Sequence, residues 1–327
     1  MNATQVALDA DTAHALRREL GLAEIGAPIS GGTFALVHAA VASDGRAAVL
    51  KVGPPPHVPL LTYERGLAPA EFEFYERTAA ILPVPDVLAH TEIAERHAFT
   101  MTLEPGTPLV DTPVSDDERR AVRRQLGRLV GELRSVTGTG FGYRRSTLDF
   151  HADSWPEAFD LMWRALFEDA RHWAVELPTH RVGELLRRAH SLLAGVHTPV
   201  LTHFDLWDGN VLVARDDNGI HITALIDGER SFWGDPLAEL VSTSLFSDPE
   251  TDTDFLEGFA ESTGSTLDFT PDVRARLSLY QAYLSAIMIV ERVPRGAADD
   301  RAQEEFFRGA LRDQLDRAAD ALDTQGL

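Results

Sequence analysis

The sequence contains no cysteine. This excludes disulfide bridges, thiol catalysis and cysteine-ligated zinc or iron–sulfur sites. Long apolar runs are also missing, since no stretch approaches the roughly 20 uncharged residues that a membrane helix needs. Residues 1–22 carry acids early and no basic segment followed by an apolar run, so no signal peptide is predicted. We therefore expect a cytoplasmic protein without a membrane partner.

Positive charge is scarce. The chain has 30 basic against 51 acidic residues, a net charge of −21. This balance argues against nucleic acid as a partner and suits a cationic substrate, although it can equally reflect a composition that favours solubility. Lys51 is the only lysine, and arginine stands everywhere else. Because an ammonium and a guanidinium are not interchangeable at a phosphate site, Lys51 is a candidate phosphate-binding residue.

The first third of the chain carries strand and helix signals, and turn-rich segments separate them. Strands are predicted at 35–41, 47–52, 84–88 and 98–103, and helices at 5–22 and 69–81. Together these signals predict a small, mostly antiparallel sheet with one helix packed against it.

The remainder is predominantly helical. Ser115 with Glu118 and Ser154 with Glu157 are predicted capping boxes, and a third helix is predicted over 182–193. Residues 138–153 are predicted to form a polar, turn-rich connection, and short strands are predicted at 211–213 and 222–226. We predict an α+β fold of two lobes, with the sheet in residues 1–103, a linker at 104–107 and a helical lobe in 108–327.

The strongest chemical signal is the segment from His203 to Asn210, followed after a hairpin by Asp227. Phosphoryl transfer needs a carboxylate that orients and deprotonates the attacking hydroxyl, together with divalent ions that neutralise the phosphates. Asp205 can supply the first function. Asn210 and Asp227 supply oxygen ligands of the kind that Mg²⁺ prefers. The pattern therefore predicts a magnesium-dependent phosphotransferase.

This segment resembles the catalytic loop and metal-binding Asp of protein-kinase-like folds, in the form found in aminoglycoside phosphotransferases, choline kinases and fructosamine kinases. The resemblance implies ATP or GTP as co-substrate, with Asp205 as catalytic base. It also implies that Asn210 and Asp227 are metal ligands and that His203 braces the loop. Asp235, in Gly-Asp-Pro, resembles a structural acid of the family. The family usually has Gly after the His, whereas this chain has Phe204.

The N-terminal half fits the same resemblance. Lys51 matches the lysine that binds the α- and β-phosphates. Its helix partner is expected to be Glu71, and Glu73 is the alternative. Only one of them can pair with the lysine, because their side chains point about 200° apart around a helix. The backbone of Ser30, Gly31, Gly32 and Thr33 is expected to cover the phosphates. Glu104 and Gly106 are expected to lie in the linker that hydrogen-bonds adenine.

The acceptor is expected to be a small molecule. Seven residues separate Asp227 from Asp235, too few for the activation segment that holds a peptide substrate. Candidate pocket acids are Asp208, Glu229, Glu239 and Glu291. An aminoglycoside or another amine-bearing antibiotic, which would imply a role in resistance, and a metabolite such as a ketosamine, homoserine or choline fit equally. A pseudokinase that binds nucleotide without turnover is the alternative from another class.

Overall fold

The computed structural model describes residues 4–29, 32, 34–145 and 148–327. The helices within these residues are α1 (Ala10–Glu19), α2 (Leu67–Thr78), α3 (Asp116–Leu133), α4 (Trp155–His172), α5 (Thr179–Arg188), α6 (His190–Ala194), α7 (Glu239–Thr243), α8 (Thr253–Thr263), α9 (Pro271–Glu291) and α10 (Arg301–Asp323). The strands are β1 (Leu22–Pro28), β2 (Leu36–Ala42), β3 (Ala47–Val52), β4 (Val87–Ile93), β5 (Arg96–Thr102), β6 (Thr107–Pro108), β7 (Phe141–Arg145), β8 (Leu148–Ala152), β9 (Val200–Thr202), β10 (Val211–Asp216), β11 (Gly219–Leu225) and β12 (Phe232–Gly234).

The N-terminal part is an antiparallel sheet of five strands in the order β1-β2-β3-β5-β4. Successive side chains of a strand point to opposite faces of the sheet. Both faces of the central strand β3 are buried. Ala48, Leu50 and Val52 join an apolar cluster with α1. Val49 belongs to the main core, and Lys51 points to that same face, toward α2. The pleat of β3 thus carries a charged side chain into the interior.

The C-terminal part combines helices with two small sheets, ordered β11-β10-β6 and β8-β7-β12-β9. The segment from His203 to Asn210 connects β9 to β10, and Asp227 follows β11 closely. An N-terminal antiparallel sheet followed by a helical part confirms the predicted fold class. In the part of the chain that the structure describes, no helix is long and apolar enough to cross a membrane.

Several predicted boundaries change. Residues 138–153 contain the β7–β8 hairpin rather than a turn-rich connection, because Phe141 and Tyr143 face the core. The strand predicted at 84–88 begins at Val87, after Pro83 and Pro85. The helix predicted over 182–193 is two short helices, α5 and α6, that meet at Ala189. The predicted cap of α3 is confirmed, since Ser115 accepts from Glu118 N.

Glycines let α3 and α8 approach closely. A Cβ atom at Gly127 would lie 2.0 Å from Phe255 O, and one at Gly258 would lie 1.9 Å from Arg124 O. Neither backbone oxygen can move without separating the helices. The packing of these two helices therefore requires hydrogen at both positions.

We expect Gly258→Ala to lower the free energy of unfolding by about 1–3 kcal/mol, the usual cost of overpacking. The matched control is Gly183→Ala in α5, where nothing lies within 4 Å of the added methyl group. Alanine there should be neutral or stabilise the helix. Urea denaturation of both variants checks this, and equal effects would contradict the packing argument.

Candidate active site

The side chain of Lys51 lies between two carboxylates. Its Nζ is 2.6 Å from Glu71 Oε1 and also donates to Asp227 Oδ1. Lys51 and Glu71 are both buried. Glu73 pairs instead with Arg77 on the exposed side of α2. The helix acid that partners the lysine is therefore Glu71.

Tyr75 completes this contact, although sequence reasoning did not assign it a role. Its hydroxyl donates to Glu71 Oε1 at 2.6 Å and accepts from Asp227 N at 2.9 Å. Tyr75 thus joins α2 to the residue that follows β11. The available sequence signal was its position four residues after Glu71, which puts both side chains on one helix face.

The charged groups of this cluster shift one another's pKa values. Burial opposes the charged form of Lys51, but the carboxylates of Asp227 and Glu71 raise its pKa above the ordinary value. Burial likewise opposes ionisation of Asp227, but Lys51 holds the pKa of Asp227 below its usual range. Burial and then the Asp227 charge raise the pKa of Glu229 to about 8. One lysine therefore does not neutralise the acids that surround it.

A divalent cation fits this donor set. Carboxylate oxygens of Glu71, Asp227 and Glu229 lie within 4.8 Å of one another. Mg²⁺ takes oxygen ligands, commonly one or two carboxylates with substrate phosphates and water. The sequence prediction puts Glu229 in the acceptor pocket, whereas the structure places it beside Asp227.

The loop that carries Asp205 is held by hydrogen bonds of His203 and Asn210. His203 Nε2 lies 2.9 Å from Ile226 O, and Nδ1 lies 3.3 Å from Asp205 N. Burial lowers the pKa of His203 to about 4, so the ring is neutral and we assign its proton to Nε2. Asn210 Nδ2 donates to Asp205 O at 2.8 Å, and Asn210 O accepts from Ile226 N at 3.0 Å. These bonds fasten the Asp205 loop to the chain just before Asp227.

Asp205 lies at the edge of the cluster, with its side chain 20% exposed. Burial raises the pKa of its carboxyl group, and the charge of Arg230 opposes that shift. Arg230 Nε lies 3.5 Å from Asp205 Oδ2. Sequence reasoning missed Arg230, because nothing in the local sequence shows that its side chain turns toward a residue 25 positions earlier.

Phe204, where the resembling family usually has glycine, adopts a positive φ of 60°. Its ring is buried, with centroids 4.9 Å from Phe232 and 6.2 Å from Tyr283. A bulky residue in this region is strained by about 1–3 kcal/mol. Aromatic packing offsets that strain, so the chain keeps the backbone turn that glycine usually allows.

Two further predicted residues bind other protein groups. Asp208 pairs with Arg119 at 3.1 Å. Glu239 is buried, accepts from His203 N at 2.5 Å, and burial raises its pKa to about 7. Glu239 therefore braces the loop that carries Asp205, and its carboxylate is engaged by backbone of that loop.

Asp235 and Glu291 are also engaged. Asp235 Oδ2 accepts from Arg276 Nη1 at 2.6 Å and from Tyr280 at 2.7 Å, an arrangement that organises the turn before α7. Glu291, predicted to line the acceptor pocket, contacts Arg230 at 3.2 Å. Both acids thus lie in internal ion pairs.

The predicted phosphate-covering loop is described only in part. Ser30, Gly31 and Thr33 lie outside the described residues, and Gly32 has a φ of +67°.

The predicted linker packs against β10 and β11. A Cβ atom at Gly106 would lie 2.7 Å from Val213 O, and Thr223 donates to Pro105 O at 2.5 Å. Glu104 accepts from Thr102. Glycine at position 106, with a φ of +115°, lets this segment run close to the β10 backbone.

Comparison with known proteins agrees with this geometry. Residues 26–280 match the model of the phosphotransferase enzyme family that includes the aminoglycoside phosphotransferases. The chain therefore belongs to this family of phosphotransferases.

Individual relatives are distant. An Enterococcus faecium protein named as a probable ketoamine kinase is 22% identical over 272 residues, covering 78% of this chain and 85% of the relative. A Thermobifida fusca protein named for fructosamine-3-kinase superposes with a TM-score of 0.67 at 20% identity, covering 96% of this chain and 99% of the other. A thermostable mutant of an aminoglycoside phosphotransferase, solved with AMP-PNP and hygromycin B, gives 0.64 at 21% identity, with 95% and 99% covered. These structural likenesses establish the fold.

We expect Lys51→Arg to lower kcat/KM by at least about 100-fold, because a planar guanidinium cannot replace a compact ammonium between Glu71 and Asp227. The reverse exchange Arg46→Lys, at an exposed ion pair with Asp44, is the control and should change little. Steady-state kinetics of both variants measures the change in activity, and their unfolding midpoints show whether stability has changed as well. Near-wild-type activity of Lys51→Arg would contradict the role of the lysine.

We expect Asp227→Asn to weaken nucleotide binding strongly in the presence of Mg²⁺ and little in EDTA, because the charge that draws the cation is removed. Calorimetric titration of ATP under both conditions measures this. Equal affinity of variant and wild type with Mg²⁺ would remove Asp227 from the ligand set.

Proposed function

We propose that this protein transfers the γ-phosphoryl group of ATP or GTP to a hydroxyl of a small molecule, with Mg²⁺ as cofactor. The observation that carries the proposal is the convergence of Lys51, Glu71 and Asp227 beside the loop that presents Asp205. These residues come from separate segments, and hydrogen bonds through Tyr75, His203 and Asn210 hold them together. Such positioning is most of what phosphoryl transfer requires of a protein.

Each residue has a distinct task in this proposal. Asp205 orients the acceptor hydroxyl and accepts its proton. The ammonium of Lys51 binds phosphate oxygens, and Glu71 holds the lysine in place. Asp227, with Asn210 and Glu229, would hold Mg²⁺, which neutralises charge on the phosphates. Residues 104–107 would serve as the linker along which the nucleotide base lies.

We further propose that the acceptor is a metabolite of the ketosamine kind rather than a polycationic aminoglycoside. A polycation needs several carboxylates that face the pocket. Here Asp208 pairs with Arg119, and Glu291 pairs with Arg230. Glu239 is buried and bonded to backbone. The names of the Enterococcus faecium and Thermobifida fusca proteins are consistent with this acceptor class.

A pseudokinase is the less supported reading. Loss of turnover usually follows loss of the base, the metal-binding Asp or the lysine, and this chain keeps Asp205, Asp227 and Lys51 in one site. Nucleotide binding without transfer to any acceptor would favour it.

The test is a coupled assay of ADP or GDP release with Mg²⁺. The panel contains an N-fructosyl amino acid, homoserine, choline, hygromycin B and a second aminoglycoside. We expect release that depends on the ketosamine and falls by about 10²–10⁴-fold in Asp205→Asn, while nucleotide affinity stays the same.

Asp252→Asn is the matched control. Its side chain is 23% exposed, against 20% for Asp205, and it also pairs with a buried arginine, Arg123. Its turnover should remain close to wild type. An active Asp205→Asn enzyme would remove Asp205 as base, and release with aminoglycosides alone would overturn the assignment of the acceptor class.

A further inference from the structure

A chain of buried charges leads away from Asp205. Arg230 Nη2 donates to both carboxylate oxygens of Glu291, at 3.3 and 3.2 Å. Glu291 also accepts from Tyr63 at 2.8 Å and pairs with Arg295 at 3.1 Å. Beyond it, Arg295 pairs with Glu64 at 2.7 Å. The members come from the segment before α2, the turn after β11 and the end of α9.

The guanidinium of Arg230 is held on two sides. Nη2 is fixed by Glu291, and Nε faces Asp205 Oδ2 at 3.5 Å. Among the described residues, its Nη1 has no hydrogen-bond partner although it is buried. The orientation of the guanidinium therefore depends on its contacts with Glu291 and Asp205. The Glu291 contact thus orients a cation whose Nε edge faces the proposed base Asp205.

The backbone around Arg230 is closely packed. It lies in the 3-10 turn Gly228–Arg230, which begins directly after Asp227. Gly228 packs so closely against Phe74 that an added Cβ would lie 2.6 Å from its ring. One short turn therefore carries both the residue proposed to bind the cation and the arginine beside the base.

We propose that Arg230 is a positioning residue of the reaction, which orients the Asp205 carboxylate toward the acceptor hydroxyl, and that Glu291 serves to hold Arg230. This proposal rests on the function proposed above, because it assumes that Asp205 acts as base. It assigns Glu291 a different task from the binding of an acceptor amine. It also explains why charged side chains are buried at the end of α9, where apolar packing would cost less.

Variants of both partners test this. Arg230→Gln removes the positive charge, and Arg230→Lys keeps the charge but loses the planar guanidinium. Glu291→Gln keeps Arg230 but removes the carboxylate that it bonds to. We measure kcat and KM with an N-fructosyl amino acid, slow hydrolysis of MgATP by water, the Kd of MgATP, and thermal unfolding.

Arg230→Gln should lower kcat about 100-fold, the scale of effect expected from misplacing a reacting group by about 1 Å. The Kd of MgATP should change less than about twofold. Arg230→Lys should recover part of the lost rate, and Glu291→Gln should lower kcat in the same direction by less. The drop must appear in kcat, because a residue that only binds acceptor would change KM instead.

The matched control is Arg292→Gln. Arg292 is as buried as Arg230, at 5% against 7% exposed, and directly follows Glu291, but it bonds to Gln303 and to backbone oxygens. The Arg292→Gln variant should be less stable than wild type and keep kcat within about threefold of the wild-type value. If Arg230→Gln and Glu291→Gln behaved like Arg292→Gln, the pair would be structural and the proposal overturned.

Failure of the underlying function is recognised separately. If the wild-type protein transfers phosphate to no acceptor of the panel, the proposed function fails. If transfer occurs but Asp205→Asn changes neither it nor MgATP hydrolysis, Asp205 is not the base, and the positioning role of Arg230 falls with it. If Asp205→Asn slows either reaction and Arg230→Gln slows neither, the proposed function stands and the positioning role is wrong. A loss of MgATP affinity that matches the loss of kcat in Arg230→Gln would also overturn it.

Discussion

The site depends on one buried ammonium ion held among carboxylates. Lys51 is the sole lysine of the chain, and it bonds to Glu71 and Asp227 where little water can solvate it. A buried charge is tolerated only when it is paired and hydrogen-bonded. This requirement fixes which face of β3 points to the interior, where α2 lies and how the chain turns after β11. Tyr75 adds a bond between Glu71 and the Asp227 backbone. Removing one of these charged side chains would leave the charges of the others buried without a partner.

The same charge argument extends to the side of Asp205 where we propose that the acceptor binds. The chain is strongly acidic, yet Asp208 and Glu291 are matched by arginines and Glu239 by backbone donors. Net charge therefore does not report the charge of the pocket. Arg230 and Glu291 illustrate this, because an acid predicted to bind substrate is used inside the protein. This pairing supports the proposed ketosamine acceptor, which carries fewer positive charges than an aminoglycoside.

The sequence predicts those parts of the fold and site that local spacing encodes. Asp205, Asn210 and Asp227 lie in one loop and one strand end, and the unique lysine stands in a short apolar run that follows a hairpin turn. Contacts between distant segments leave no local signal, so Arg230 was missed. The helical spacing of Tyr75 from Glu71 was visible, but the bond of Tyr75 to Asp227 was not. The β7–β8 hairpin was missed because its polar residues resemble a loop, and tertiary packing of Phe141 and Tyr143 decides its conformation. Short strands such as β9 and β12 form only because neighbours complete their sheet.

The most direct test of the account is to identify the product itself. Wild-type protein, MgATP labelled in the γ-phosphoryl group and an N-fructosyl amino acid are incubated, and the label is followed by phosphorus NMR and mass spectrometry. The account predicts a phosphomonoester of the acceptor formed in equal amount to ADP, and none without Mg²⁺. Label found only in inorganic phosphate or unreacted ATP, with this and every other small hydroxyl acceptor, would contradict it.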